Sequence, residues 1–213
     1  MTLRLIGDVH AKTLRYRAIA EQAEESIQVG DLGMGFLIPE QQEDLALLQE
    51  GGKHRFIRGN HDDPELCRKS NGWIKDGHFD ADRNMMFIGG AWSIDFDIRQ
   101  SRDRRYGGKT WWPDEEVALC ELERIRADFV YFKPDIVITH DCPRSVAKHL
   151  FFRPPYDTRN QFRTRTSEAL DAMFRDHKPD LWVFGHWHSD ERFTYEGTDF
   201  VCLNELSYMD IEV

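Results

Sequence analysis

The sequence predicts an α/β fold, and two observations support that class. Residues 1–60 alternate between short apolar runs and helical patterns in the order β-α-β-α-β, an order that is typical of α/β domains. Short polar motifs directly follow several of the apolar runs, as expected where parallel strands end at one edge of a sheet. At 213 residues, the chain is long enough for a single domain, 1–213, with a sizeable core.

The first part of the chain has the most regular pattern. Its predicted elements are, in order, a strand at 2–6, a helix at 12–25, a strand at 27–29, a helix at 39–49 and a strand at 55–57. The second helix is favoured because Pro39 suits a first helical turn and because Leu45 and Leu48 have helical spacing.

The rest of the chain mixes strands and helices less regularly. Its predicted strands are 85–88, 92–96, 135–139, 181–184, 193–195 and 200–203, and its predicted helices are 114–132 and 166–177. Gly89 and Gly90 are expected to join the first two strands in an antiparallel region. Pro113 and the acidic residues after it suit the start of a helix. Gly197 indicates a hairpin turn between the last two strands.

The residues that can carry chemistry lie in five short motifs. They are Gly7-Asp8-Val9-His10, Gly30-Asp31-Leu32, Gly59-Asn60-His61-Asp62, Thr139-His140 and Gly185-His186-Trp187-His188. Each motif follows a run rich in Val, Ile, Leu or Phe. The motifs are therefore expected to meet at the edge of a sheet, where parallel strands end.

These motifs offer more metal ligands than one ion can use. The candidates are Asp8, His10, Asp31, Asn60, His140, His186 and His188. Carboxylate and imidazole groups suit Mn²⁺, Fe²⁺ or Zn²⁺, and one such site takes about four protein ligands. The set therefore suits two ions if one carboxylate bridges them. Two ions roughly 3.5–4 Å apart can hold a nucleophilic hydroxide and clamp a phosphoryl oxygen.

One motif histidine, His61, remains after the ligands are assigned. A protonated imidazole at this position could give a proton to the leaving oxygen. Asp62 follows it directly, and an acidic neighbour can fix the tautomer of an imidazole or raise its pKa. We therefore expect His61 and Asp62 to act together as catalytic residues.

The ordered set of motifs resembles the calcineurin-like metallophosphoesterase superfamily, and the resemblance runs from Asp8 to His188. It implies two packed mixed β-sheets flanked by helices, with the metals at the strand ends. It also implies two divalent ions, with manganese expected and iron, zinc or nickel as alternatives. The implied ligands are Asp8, His10 and His188 for one ion, Asn60, His140 and His186 for the other, and Asp31 as the bridge. His61 matches the general acid of the family.

The second motif departs from the protein-phosphatase branch of that superfamily. Those members continue it as G-D-x-x-D-R-G, whereas this chain has Gly33, Met34 and Gly35 after Leu32. Arg58, before the third motif, does match that branch. The resemblance thus implies a phosphomonoesterase or phosphodiesterase, and a compact chain with arginine-rich segments fits a phosphorylated small molecule or nucleotide as the substrate. A serine/threonine phosphoprotein phosphatase, a DNA nuclease and a catalytically idle scaffold remain as alternatives.

Two segments, 97–113 and 151–165, are predicted to be insertion loops. Both are rich in arginine and aromatic residues within an acidic protein. Arginine binds phosphate with paired hydrogen bonds, so we hypothesise that these loops rim the metal cleft. The candidate substrate-binding arginines are Arg58, Arg99, Arg102, Arg105, Arg153 and Arg163. The alternative for the two loops is a solvated surface or an oligomer contact.

Composition argues against several other classes of protein. The net charge of −10 does not favour nucleic-acid binding by a basic surface. No apolar run approaches the ~20 residues of a membrane span, so no membrane partner is expected. The N-terminus enters the first predicted strand directly, so we expect no signal peptide and a cytoplasmic location.

Overall fold

A computed structural model describes residues 2–152 and 162–213, and in these ranges strands and helices alternate along most of the chain. The strands are β1 (Thr2–Ile6), β2 (Glu25–Gln28), β3 (His54–Phe56), β4 (His78–Asp80), β5 (Met85–Ile88), β6 (Ile136–Thr139), β7 (Leu181–Phe184), β8 (Glu191–Tyr195), β9 (Thr198–Cys202) and β10 (Tyr208–Glu212). The helices are α1 (Thr13–Ala20), α2 (Pro39–Leu48), α3 (Pro64–Lys69), α4 (Phe96–Tyr106), α5 (Leu119–Phe132), α6 (Arg144–Phe151) and α7 (Arg165–Asp176). None of the described helices is both long and apolar enough to cross a membrane.

The strands form two mixed sheets. The first has the order β10-β1-β2-β3, in which β1, β2 and β3 are parallel and β10 runs antiparallel to β1. The second has the order β4-β5-β6-β7-β9-β8. Its four central strands are parallel, and β4 and β8 lie antiparallel at the edges. The strands that precede the motifs are therefore parallel to one another within each sheet: β1, β2 and β3 in the first, and β6 and β7 in the second.

The two sheets pack face to face. Leu5 and Ile27 of the first sheet share one buried cluster with Ile138 and Val183 of the second. Successive side chains of a strand point to opposite faces, and Val137 accordingly belongs to a different cluster, on the outer face of the second sheet. The buried core of the protein thus lies both between the two sheets and on their outer faces.

Helices cover both outer faces. Tyr16 of α1 and Leu45 of α2 pack with Ile6 on the first sheet. Phe129 of α5 and Met173 of α7 pack on the second sheet in a separate cluster. These layers confirm the expected fold of two packed mixed sheets flanked by helices.

The region after β5 differs from the prediction. Residues 92–96 do not form a strand, and β5 pairs in parallel with β6 and antiparallel with β4. The aromatic side chains that suggested a strand pack locally instead: the Phe96 ring lies 5.4 Å from the Trp92 ring and 4.7 Å from the Trp111 ring. Segment 97–113, predicted to be a loop, begins with α4.

Two helix boundaries were also predicted wrongly. The helix expected at 12–25 ends at Ala20, and residue 25 already belongs to β2. The helix expected at 114–132 begins at Leu119. Glu115 and Glu116, which suggested a helical first turn, are buried and accept hydrogen bonds from the backbone N–H groups of Ser93 and Thr166. Their carboxylates hold distant segments together instead of starting a helix.

Candidate metal centre

The five motifs meet at one end of the sandwich. Asp8, Asp31 and Asn60 follow β1, β2 and β3 of the first sheet, whereas His140 and His186 follow β6 and β7 of the second. Each of these strands is parallel to its neighbour in this group, so each presents its carboxyl end on the same side. The candidate ligands therefore come from both sheets.

Four of the candidate ligands form one tight group. The ligand atoms of Asp8, His10, Asp31 and His188 all lie within 4.8 Å of one another. The Nε2 atom of His188 is 3.0 Å from Asp8 Oδ2 and 2.9 Å from the Nε2 atom of His10. The His10 Nε2 atom lies 3.9 Å from Asp31 Oδ2. Two carboxylates and two imidazoles converging in this way fit a divalent cation.

The other candidates lie on the opposite side of Asp31. The Nε2 atom of His140 is 3.3 Å from Asp31 Oδ1 and 3.0 Å from Asn60 Oδ1. The Nδ1 atom of His140 lies 2.9 Å from the carbonyl oxygen of Val29, a contact that orients the ring as in many metal sites. The ring of His186 is centred 5.1 Å from the ring of His140. Asp31 thus lies between the two groups, with one oxygen toward each.

Asp31 and His140 each stabilise the charged form of the other. Burial has the largest single effect and opposes ionisation of both groups, but their mutual attraction and hydrogen bond, together with their other neighbours, outweigh it. The net effect holds the pKa of Asp31 well below its ordinary value and raises the pKa of His140 to about 10. The site therefore favours positive charge between the oxygens of Asp31 and Asn60, which also fits a metal cation. A metal would replace the proton there.

The motif backbones are bent sharply to bring these side chains together. His10, Asp31 and His188 have positive φ angles of 47°, 59° and 47°, a conformation that costs free energy in residues other than glycine. Close approach also requires glycine at some positions. A Cβ atom on Gly59 would lie 2.1 Å from Asp31 Oδ1, and one on Gly185 would lie 2.2 Å from Asp8 Oδ1.

The sequence did not point to two residues that orient Asn60. The Nδ2 group of Asn60 donates to Ser93 Oγ at 3.1 Å, and Ser93 Oγ donates to Glu115 Oε2 at 2.5 Å. All three side chains are buried. This chain of hydrogen bonds turns the Asn60 carbonyl oxygen toward His140, although Ser93 and Glu115 lie in no motif.

His61 lies at the edge of the ligand cluster. Its backbone N–H donates to Asp31 Oδ1 at 2.7 Å, and its Nδ1 atom is 2.6 Å from Nη2 of Arg99. Burial lowers the pKa of His61 to about 4; Asp31 opposes this shift and the charge of Arg99 adds to it. The negative charge of an incoming phosphate would act in the opposite direction.

Asp62 does not lie against the His61 ring as expected. Its carboxylate is fully buried and accepts four backbone N–H groups, from Leu32, Gly33, Met34 and Gly59, at 2.7–3.2 Å. Because those donors belong to the second and third motif loops, Asp62 ties the two loops together. Its place in the structure is that of a positioning residue.

Arg58 is also placed differently from the expectation. It is buried, and its guanidinium group donates to Asp76 Oδ2 at 2.8 Å and to the carbonyl oxygens of Asp114 and Glu115 at 2.9 and 2.8 Å. Through these bonds the guanidinium group of Arg58 holds the turn before β4 and the segment before α5. The role of Arg58 in gripping substrate stays a prediction, and the bonds that its guanidinium group makes within the protein do not support it.

The remaining candidate arginines divide into two groups. Arg99 and Arg102 line a cavity beside His61. The guanidinium group of Arg105 lies 5.3 Å from the ring of Tyr106, and Arg163 pairs with Glu168 at 3.3 Å; neither lines that cavity. Arg153 lies outside the described residues.

Comparison with known proteins gives a family and a fold. The family model described as "Calcineurin-like phosphoesterase" matches residues 1–190. None of the curated proteins matches the chain. The structural matches are distant in sequence, with identities below 20% for the three described next, so their likeness concerns the fold alone.

Three solved structures illustrate that likeness. A protein of Thermus thermophilus has a TM-score of 0.59 at 12% identity, covering 96% of this chain and 89% of its own. A phosphopantetheinyl hydrolase from Mycobacterium tuberculosis has a TM-score of 0.53 at 18% identity, covering 96% and 89%. A candidate 5′-nucleotidase from Staphylococcus aureus has a TM-score of 0.56 at 14% identity, covering 98% of this chain but 50% of its own. The present chain therefore spans about half the length of the last protein.

Proposed function

The chain belongs to the calcineurin-like phosphoesterase family, and we propose that it hydrolyses phosphoesters with two divalent metal ions. The observation that carries the proposal is the convergence of the motif side chains around Asp31. One of its carboxylate oxygens faces His10, and the other faces His140. A carboxylate placed in this way suits a bridge between two cations.

The ligands divide between the two ions as the family resemblance implies. Asp8, His10 and His188 would hold one ion, Asn60, His140 and His186 the other, and Asp31 both. The donors are hard or borderline, which suits manganese, with iron, zinc or nickel as alternatives. When bound, the ions would supply an activated water and neutralise the phosphoryl oxygens.

We assign the proton transfer to His61. Its imidazole lies beside the ligand cluster, with its ring centred 5.0 Å from the ring of His10. From there it can give a proton to the leaving oxygen as the P–O bond breaks. Asp62 acts at a distance by holding the loop that carries His61. The proposal needs no serine or cysteine nucleophile.

The substrate we propose is a phosphorylated small molecule or nucleotide. Two of the structural matches have names that refer to small phosphorylated molecules, a phosphopantetheinyl hydrolase and a candidate 5′-nucleotidase. Arg58 was the feature of the sequence that favoured a phosphoprotein, and its guanidinium group is committed to Asp76. A phosphoprotein substrate consequently has less support.

Hydrolysis of two synthetic esters tests this function. Metal-stripped protein is refilled with Mn²⁺ and given p-nitrophenyl phosphate or bis-p-nitrophenyl phosphate. We expect turnover that falls by roughly 10²–10⁴ in His61→Ala while bound metal is unchanged. The matched control is His78→Ala, which removes an exposed histidine of β4 and should keep full activity. Full activity of His61→Ala would contradict its role, and no metal-dependent turnover of either ester would count against the function.

A further inference from the structure

Two cavities lie side by side at His61. One, of about 260 Å³, is lined by His10, Gly33, Phe36 and His61 and borders the ligand cluster. The other, of about 200 Å³, shares Phe36 and His61 with it. Each is below the ~300 Å³ at which sites for drug-sized ligands begin. Together they suit a small molecule that extends from the metal centre past His61.

The second cavity has a cationic wall made by α4. Arg99 and Arg102 both line it, and their spacing of three residues places them on one face of the helix. Arg99 is buried, and its guanidinium group also donates to Asp95 Oδ1 at 2.7 Å and to the Thr110 carbonyl oxygen at 3.0 Å. This anchoring fixes Arg99 in place beside His61.

Arg102 remains available for a ligand. It is exposed, and among the residues that the structure describes it has no ion-pair partner within the usual distance. Asp95, which also lines the cavity, is paired with Arg99. Asp103, the neighbour of Arg102, accepts hydrogen bonds from the backbone and the hydroxyl group of Thr110, both at 2.8 Å. Hydrogen bonds from Thr110 and the charge of Arg102 lower the pKa of Asp103, but neither carboxylate forms a direct ion pair with Arg102 in the described chain, so its guanidinium group is open to a ligand.

The same cavity has an apolar wall. Phe36 and Ile98 line it, and their exposed fractions are 39% and 72%. Large apolar side chains exposed beside a charged cavity are typical of ligand sites, which combine an apolar lining with a few placed polar groups. A ligand here would thus present both an apolar portion and an anionic group.

We propose that this cavity, formed by Phe36, Ile98, Arg99 and Arg102, binds a leaving group that carries a second phosphate. The inference rests on the proposed function, in which His61 protonates the leaving oxygen. The cavity lies on the opposite side of His61 from His10. The substrate class is accordingly a phosphoester with a second phosphate on the part that is released. The apolar portion between the two phosphates packs against Phe36 and Ile98.

A pair of matched aryl esters tests the proposal. Phenyl phosphate and 4-(phosphonomethyl)phenyl phosphate have the same reacting bond, but only the second carries an additional dianion, held by a C–P bond that hydrolysis does not break. The kcat/KM ratio of the two esters is measured for wild type, Arg102→Ala and Arg104→Ala with Mn²⁺. Arg104 is the control, since it lies on the same helix and bonds to Gln100 at 2.6 Å without lining the cavity.

We expect wild type and Arg104→Ala to prefer the phosphonomethyl ester, and Arg102→Ala to lose roughly tenfold of that preference, as for one charge-assisted contact. An unchanged ratio in Arg102→Ala, with turnover intact, would overturn the second-phosphate site and leave the phosphoesterase standing. If neither monoester is hydrolysed and bis-p-nitrophenyl phosphate is inert as well, the proposed function fails instead. The cavity is then tested by calorimetric binding of two inert analogues, phenylphosphonate and 4-(phosphonomethyl)phenylphosphonate. If the second phosphonate group increases the affinity equally in wild type and in Arg102→Ala, the proposed site is overturned.

Discussion

Some of the side chains that orient the candidate ligands come from outside the motifs. Asn60 is the best example, because the only polar side chain to which its amide N–H group is bonded in the described chain is Ser93, which in turn bonds to Glu115. Partners of this kind set the direction of a ligand atom and are worth much of the metal affinity. Loss of the Ser93 hydroxyl group should therefore weaken metal binding.

We predict that Ser93→Ala weakens Mn²⁺ binding by roughly 10–100-fold, because the Asn60 amide loses the acceptor that fixes it. Isothermal titration of metal-stripped protein measures this directly. The control is Ser70→Ala, which removes a similar bond between a serine hydroxyl and the side-chain amide of Gln49 away from the ligand cluster. Equal affinities in wild type and Ser93→Ala would show that Ser93 does not orient Asn60.

The stability of the metal-stripped protein should depend on pH through Asp141. Burial raises the pKa of Asp141 from its ordinary 3.8 to about 6, so the folded protein binds this proton more tightly than the unfolded chain. The stability gained from that proton is complete below the ordinary pKa and is lost as the pH rises through about 6. Asp141→Asn cannot ionise and keeps the Oδ1 atom that accepts from Cys142 and Trp187.

Metal-stripped wild type should therefore lose free energy of unfolding relative to Asp141→Asn between about pH 4 and about pH 7. Urea denaturation of both proteins at several pH values measures the difference. A difference that stays constant over this range would mean that Asp141 titrates at its ordinary pKa in the folded state.

Residue type and strand context were enough to select the seven candidate ligands and His61, whose roles as metal ligands and as the acid stay predictions. They could not predict Ser93, because a hydrogen bond between residues 33 positions apart leaves no periodicity in the sequence. Arg58 shows the opposite problem. Its position beside a motif suggested a substrate contact, but only the fold reveals Asp76 as its buried partner.

At the scale of elements, the tight turns after the strands decide whether the ligands meet. Gly185 lies directly after β7, where the chain passes Asp8 too closely for a side chain. A Cβ atom 2.2 Å from Asp8 Oδ1 is far inside van der Waals contact. A larger residue must displace the carboxylate or the turn.

We predict that Gly185→Ala lowers Mn²⁺ affinity by roughly tenfold or more, as expected when a ligand is displaced. Gly51→Ala is the control, because Gly51 has a φ of 77° but nothing within 4 Å of the added Cβ. That substitution should cost about 1 kcal/mol of folding free energy and leave metal affinity unchanged. Metal affinity that falls equally in both variants would show that the loss reflects general destabilisation.

Elements were predictable where the pattern was strong. Strands β1, β6 and β7 are short, mostly apolar runs that are buried in the sandwich, which is the clearest signal available. Helix α4 was missed because its many arginines suggested a solvated loop, although arginine and glutamine are good helix formers. Strand β10 was missed because only Met209 and Ile211 alternate as apolar residues, and its partner β1 lies at the other end of the chain.

At the scale of the whole molecule, the candidate metal centre joins the two sheets. Three of the motifs belong to the first sheet and two to the second, and Asp31 and His140 meet across the boundary at 3.3 Å. Metal ions bound there would hold both sheets together at their carboxyl ends. Metal content should therefore affect the stability of the entire fold.

We predict that Mn²⁺ at about a hundred times its Kd adds about 2.7 kcal/mol of stability per site. For a chain of this length that corresponds to a Tm increase of roughly 5–10 °C. Differential scanning calorimetry with Mn²⁺ and with a chelator measures it, and Asp31→Ala serves as the variant that should not respond. Identical Tm values with metal and chelator would mean that the cluster does not bind metal in the folded protein.

We propose that two bound metal ions and His61 together hydrolyse a phosphoester. The most direct measurement is a titration of Mn²⁺ into metal-stripped protein, following bound metal per chain and hydrolysis of the preferred p-nitrophenyl ester in the same samples. We predict that turnover rises as the second ion binds, and that His61→Ala binds as much metal with a rate roughly 10²–10⁴ lower. Full turnover in the presence of chelator, with no metal bound, would contradict the claim.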